Sequence, residues 1–94
     1  MEKRLATRSI SGSNIWTDRV QLAGYFNISI SGTWEGEVTC QRSFDQGSTW
    51  HDVNSWKSEN SQEYGFEPEG GVWYQAGFKD TEWSSGTCVV RLSQ

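Results

Sequence analysis

Short runs in which apolar and polar residues alternate recur along this chain, and they constrain its fold more than any other feature. In the clearest run, residues 25–31, Phe26, Ile28 and Ile30 share one face. Helical periodicity is missing almost everywhere, and Gly, Ser, Asn and Asp separate the runs. Seven or eight short strands without a βαβ unit predict an all-β fold, a small antiparallel β-sandwich of immunoglobulin-like or jelly-roll-like type.

One segment, residues 43–50, matches the Ser-x-Asp-x-Gly-x-Thr-Trp pattern known as the Asp-box. The pattern is typical of a closed β-hairpin tip, because Asp45 accepts hydrogen bonds from N–H groups of its own turn and Gly47 supplies a positive φ. The flanking positions tie the strands together, and the tryptophan covers the turn. The predicted box residues are Ser43, Asp45, Gly47, Thr49 and Trp50. The pattern specifies structure and says little about function, because such a hairpin supports many activities.

Length and charge limit what the chain does. Its 94 residues are enough for one domain, and a net charge of −4 argues against nucleic-acid binding. The domain is predicted to span residues 13–94, after an N-terminal arm or first strand at residues 1–12. In that arm Lys3, Arg4 and Arg8 form a basic cluster. The cluster is either a solvated tail or an extension that docks on an acidic partner.

No apolar run approaches the roughly 18 residues of a membrane helix, and the N-terminus lacks the apolar region of a signal peptide. We therefore expect a protein that is made in a cytoplasm, is not secreted and has no membrane partner. Cys40 and Cys88 fall at inward positions of two strand-like runs. Buried free thiols are the favoured interpretation, and a disulfide stays open if the two strands are neighbours.

The sequence offers few residues for catalysis or metal binding. Its single histidine, His51, stands on a predicted strand, and two separated cysteines cannot complete a zinc site. Two carboxylate pairs, Glu35 with Glu37 and Glu67 with Glu69, fit glycosidase chemistry but are more typical of solubilising turns. We expect a protein that is not an enzyme and holds neither a metal nor a cofactor.

Three of the six tryptophans lie in turn-like contexts, where a side chain need not point into the core: Trp34, Trp56 and Trp83. Exposed aromatic side chains on loops serve in sugar stacking or in protein interfaces. Alternatively, these tryptophans close the ends of the core. The shortage of aliphatic residues favours that role for at least one or two of them.

Residues 24–33, Gly-Tyr-Phe-Asn-Ile-Ser-Ile-Ser-Gly-Thr, resemble a segment of small proteins encoded in the structural regions of tailed phages and prophages. The likeness continues through residues 38–42 into the Asp-box, through residues 67–69 and 72–74, and into residues 85–93. Its most specific part is the Gly-x-Phe-Asn strand followed by the Asp-box hairpin. The first twenty residues fall outside the likeness.

The resemblance implies a virion protein, most simply a decoration or cement subunit on the outside of a capsid, made in the host bacterial cytoplasm. Its partner would be the major capsid protein or another virion protein, and it would be a homo-oligomer or present in many copies on a symmetric lattice. Two alternatives stay open. One is a carbohydrate-binding module with Trp34, Trp56 and Trp83 as sugar platforms, and the other is a head-to-tail or tail accessory subunit.

Overall fold

The computed structural model describes residues 4–94, which form an all-β protein. The strands are Leu5–Ile10 (β1), Ile15–Trp16 (β2), Val20–Ser43 (β3), His51–Lys57 (β4) and Ser61–Ser93 (β5). All of their pairings are antiparallel. They form one hydrogen-bonded sheet in the order β1-β5-β3-β4, with β2 paired to β5. Residues 4–94 include no helix that is long and apolar enough to cross a membrane.

The strands are fewer and longer than the sequence predicts. The structure confirms the all-β, antiparallel prediction, but five strands replace the expected seven or eight because β3 has 24 residues and β5 has 33. Glycines that suggested strand ends do not end the pairing. The strands instead continue through them with shifts of register, as between Leu22 and Gly24 and between Gly36 and Val38.

β3 and β5 pair with each other in two sections. In the first section, residues 24–30 of β3 lie between two stretches of β5, residues 61–67 on one side and residues 90–93 on the other. β1 pairs with the end of β5 and extends this section. In the second section, residues 38–42 of β3 lie between residues 74–78 of β5 and strand β4. One pair of long strands therefore organises both sections.

Alternate residues of both sections pack into one core. Its members are Ala6 and Ile10 of β1, Leu22, Phe26, Ile28, Ile30, Trp34, Val38 and Cys40 of β3, Trp56 of β4, and Val72, Tyr74, Ala76, Phe78, Cys88, Val90 and Leu92 of β5. The ring centroid of Phe26 in the first section lies 4.8 Å from that of Tyr74 in the second. The two sections therefore share their apolar contacts.

The sequence leaves two roles open for Trp34 and Trp56, and the structure supports closure of the core rather than exposed aromatics. Their exposed fractions are 6% and 8%. The indole N–H of Trp34 donates to Asn60 Oδ1 at 2.9 Å, and that of Trp56 donates to Glu63 Oε2 at 2.5 Å. Each indole is buried with its polar atom satisfied, which removes the main penalty of burial. Trp83 is half-buried, packs against the core and donates to a backbone carbonyl.

Cys40 and Cys88 are buried and unbonded, which confirms the favoured interpretation over a disulfide. Burial raises the pKa of the Cys40 thiol to about 12 and that of the Cys88 thiol to about 11. Loss of water disfavours the thiolate, which is the reactive form of the side chain. Both cysteines therefore act as small apolar residues of the core.

The basic arm expected at the N-terminus is not a free extension where the structure describes it. Residues 5–10 form β1, and two side chains of this strand lie in the core. Arg4 Nη1 donates to a carbonyl oxygen of β3 at 2.6 Å, and Arg8 Nη1 donates to one of β2 at 3.0 Å. Lys3 lies outside the described residues. Arg4 and Arg8 thus bind the chain's own backbone, and the docking role of Lys3, Arg4 and Arg8 stays a prediction.

A glycine substitution tests the close pairing of β3 with β5. Gly86 has a φ of 84°, and a Cβ atom there would lie 2.2 Å from the carbonyl oxygen of Thr33. Gly86→Ala should lower the free energy of unfolding by about 2 kcal/mol or more, because it adds both a backbone clash and backbone strain. Gly70→Ala is the matched control, since a Cβ atom there meets nothing within 4 Å. Urea unfolding of both variants measures the difference, and equal midpoints would contradict the close approach.

Candidate functional site

Three exposed aromatic side chains lie together on the outer side of the first section. The exposed fractions of Tyr25, Tyr64 and Phe66 are 69%, 75% and 55%. Tyr25 is the cross-strand partner of Phe66, with ring centroids 4.9 Å apart, and the Tyr64 ring lies 6.1 Å from that of Tyr25. Large exposed rings that adjoin one another are typical of contact surfaces, because covering them removes apolar area from water. We call these three residues the aromatic surface.

Strand alternation places the three rings outside. Phe26 points into the core, so its neighbour Tyr25 points to the other side of the sheet. On β5, Gly65 lies opposite Phe26, and a Cβ atom at Gly65 would be 2.6 Å from the Phe26 ring. The glycine makes room for that ring, and the residues on either side of it, Tyr64 and Phe66, point outward.

Polar side chains extend the aromatic surface along the same side of the sheet. Asn27 is the cross-strand partner of Tyr64, and Ser29 is the partner of both Gln62 and Arg91. These side chains line a shallow depression next to Tyr64. Within residues 4–94, the side chains of Asn27, Gln62 and Arg91 have no hydrogen-bond partner. Amide and guanidinium groups beside the rings are therefore available to a ligand.

The second section carries a different outer surface, where Asp52, Gln75 and Lys79 cover the buried side chain of Gln41, and we call these four residues the polar surface. Gln75 Nε2 donates to Gln41 Oε1 at 3.0 Å, and Gln41 Nε2 donates to Asp52 Oδ1 at 2.8 Å. The Lys79 ammonium forms an ion pair with Asp52. Hydrogen bonds from Lys79, which has the larger effect, and from Gln41 lower the pKa of the Asp52 carboxyl group. The polar groups of this surface are thus engaged with one another.

A buried ion pair links the two sections next to the aromatic surface. The Glu67 side chain has an exposed fraction of 0%, and its Oε1 atom lies 2.5 Å from Arg42 Nη2. The Tyr74 hydroxyl donates to the same oxygen at 2.8 Å, and the backbone N–H of Glu69 donates to Oε2 at 2.9 Å. Glu67 follows Phe66 in the first section, whereas Arg42 and Tyr74 are cross-strand partners in the second. A carboxylate tolerates this burial because each of its oxygens has a donor.

The Glu67 position corrects one sequence expectation. Glu67 and Glu69 are predicted to be solubilising turn residues, whereas only Glu69 is exposed. Burial, followed by the hydrogen bond to the Glu67 carboxylate, raises the pKa of Tyr74, so its hydroxyl stays a donor.

Among the other residues considered for chemistry, His51 is exposed. Residues 4–94 contain no group of three or more His, Cys, Asp or Glu side chains that could hold a metal ion.

The turn at residues 43–50 is held by its own side chains. Asp45 Oδ1 accepts hydrogen bonds from the Ser43 hydroxyl at 2.7 Å and from the Thr49 N–H at 2.8 Å. Ser43 Oγ accepts a hydrogen bond from the Gly47 N–H at 2.8 Å, and Gly47 has a φ of 94°. A Cβ atom at Gly47 would lie 3.3 Å from the indole ring of Trp50, so this ring covers the turn. These contacts stabilise the turn.

Sequence reasoning missed the aromatic surface, although the signal for part of it is present. The alternation that predicts an inward Phe26 also places Tyr25 on the opposite face. Tyr64, Gly65 and Phe66 repeat the same alternation around a glycine. The sequence alone does not reveal that these two segments are neighbours, and only the pairing of β3 with β5 brings the rings together.

The buried ion pair predicts unequal effects of two matched substitutions. Arg42→Met should lower the free energy of unfolding by about 2 kcal/mol or more, because Glu67 would stay buried without its cation. Lys79→Met removes the cation of an exposed pair and should change the free energy of unfolding by about 1 kcal/mol or less. Urea unfolding at neutral pH measures both. Two equally small losses would show that the Glu67 carboxylate does not need Arg42.

The turn predicts a pH dependence. The hydrogen bonds that Asp45 accepts from Ser43, then from the Thr49 N–H, lower its pKa in the folded protein. Its stabilising contribution is therefore complete above the unfolded pKa of about 4 and is lost as the pH falls through the lower folded value. Asp45→Asn should be less stable than wild type at pH 7, and the gap should narrow below about pH 4. Thermal melts between these pH values measure the difference in stability between wild type and the variant. A difference that does not change with pH would contradict the prediction.

Comparisons with known proteins assign neither a family nor a function to this chain. No protein-family model, no curated protein and no solved structure matches the chain.

Proposed function

We propose that this chain is a structural subunit of a tailed-phage particle, a decoration protein that binds the outside of the assembled shell. The observation that carries the proposal is the contrast between its two outer surfaces. One surface presents exposed rings and unengaged polar groups, and the other is a network of mutually bonded polar side chains. The resemblance of residues 24–93 to proteins encoded in phage structural regions supports the assignment to a tailed-phage particle.

A sandwich arrangement of the two sections is part of the proposal. The ring contact between Phe26 and Tyr74, the ion pair between Arg42 and Glu67, and the single shared core support two layers packed face to face. The outer sides of the two layers then point in opposite directions. A subunit of this shape contacts the shell with one side and exposes its other side to solvent.

The polar surface is the side that we assign to the shell. Its charged groups, Asp52 and Lys79, form a compact pair of both signs with exposed fractions of 51% and 40%. Binding would exchange the bonds within this surface for contacts of similar strength with the shell, so each copy gains a modest affinity, and repeated copies on a symmetric lattice multiply it. A protein that binds only the assembled shell stabilises it by mass action.

Shells assembled without this protein provide the test. The purified chain should co-sediment with them, saturate at one copy per repeating position of the lattice, and raise the temperature at which the shells disrupt. Shells that already carry the protein are the control and should bind no more. Saturation at the low copy number of a single vertex would indicate a connector or tail subunit instead. Absence of co-sedimentation would contradict a decoration role.

A further inference from the structure

We propose that the aromatic surface is a binding site for a polysaccharide, which lies across the rings of Tyr25, Tyr64 and Phe66 and is held by the side chains of Asn27, Gln62 and Arg91. The inference goes beyond the decoration role and does not depend on it. It assigns a ligand to the side of the domain that the proposed shell contact leaves exposed.

The rings form an open cluster, which favours an extended ligand. The Tyr25 centroid lies 4.9 Å from that of Phe66 and 6.1 Å from that of Tyr64. All three rings are more than half exposed. A sugar ring carries C–H groups on its faces, which pack on aromatic rings, while its hydroxyls lie at the edge and stay hydrated. A cluster of open, adjoining rings therefore suits a chain of sugars better than a single small molecule.

The polar neighbours of the rings match hydroxyl groups. Asn27 and Gln62 each offer an amide donor and acceptor, and Arg91 offers the planar fork of donors that binds adjacent oxygen atoms together. These three side chains have no hydrogen-bond partner within residues 4–94. The amides of Gln41 and Gln75 on the polar surface are already bonded to each other. The amides beside the rings are thus unengaged, whereas those of Gln41 and Gln75 are paired with each other.

The same composition argues against other occupants. The fully buried core of a protein interface is more apolar than the rest of a protein surface, whereas the positions beside these rings carry the amides of Asn27 and Gln62 and the hydroxyl of Ser29. Nucleic acid would need several cations, and Arg91 is the one cationic side chain that lines the depression within the described residues. A hydroxyl-rich chain satisfies both the rings and the amides.

The rigidity of the site supports recognition. Tyr25 lies on β3 and the other two rings on β5, so backbone pairing fixes their spacing. Glu67, the residue after Phe66, is anchored in the core by Arg42 and Tyr74. A platform that is already ordered loses little conformational freedom when a ligand binds.

Affinity electrophoresis of the full chain tests the proposal. The native gels contain one of four probes: a neutral β-glucan, a galactomannan, alginate, or the O-chain of a bacterial lipopolysaccharide. At least one probe should retard the wild-type protein. Tyr64→Ser and Gln62→Ala should each weaken that retardation about tenfold, the loss expected for one stacked ring or one bidentate contact. Retardation by alginate alone would identify an acidic polysaccharide held by Arg91.

Phe44→Ser is the matched control, because Phe44 is an exposed aromatic residue outside the aromatic surface, with Arg42 4.7 Å from its ring centroid. It should keep wild-type retardation. Equal urea midpoints show that the variants are folded, and the same variants should co-sediment with shells as wild type does. No retardation by any probe would overturn the proposal. So would a Tyr64→Ser variant that loses only its shell binding, because the aromatic surface would then contact a protein.

Discussion

The continuous pairing of β3 with β5 is the constraint on which the rest of the structure depends. Because side chains alternate along paired strands, one register decides which residues of both strands enter the core. The register that buries Phe26 also sets Tyr25 beside Phe66 on the outside. A slip by one residue would exchange the two faces, so the core and the aromatic surface are specified together.

A second interaction fixes the two sections relative to each other. Glu67 belongs to the first section and reaches Arg42 and Tyr74 in the second, so its carboxylate joins strands that backbone hydrogen bonds do not connect directly at that point. The residue before it is Phe66, one of the exposed rings. The carboxylate that links the two sections thereby also helps to position a side chain of the surface proposed to bind a ligand.

Much of the local structure follows from short-range patterns. Strict alternation predicts the inward face of residues 26–30, and the inward positions of Cys40 and Cys88 predict buried thiols. The positive φ of Gly47 follows from a turn that only glycine adopts without strain. Strand ends were harder to predict, because Gly32 and Gly36 interrupt the sequence pattern while their backbone continues the ladder with β5. Local turn propensity was overridden by pairing with a distant strand.

The sequence by itself determined that the chain would be an antiparallel β protein, because alternation and turn chemistry act between neighbours in the chain. Tertiary structure alone decided which polar and aromatic groups are buried. Trp34 is buried because Asn60 accepts its indole N–H, and Glu67 is buried because Arg42 supplies a cation. In both cases the partner lies more than twenty residues away in sequence. Exposure depends on such long-range partners, and no local pattern encodes where they meet.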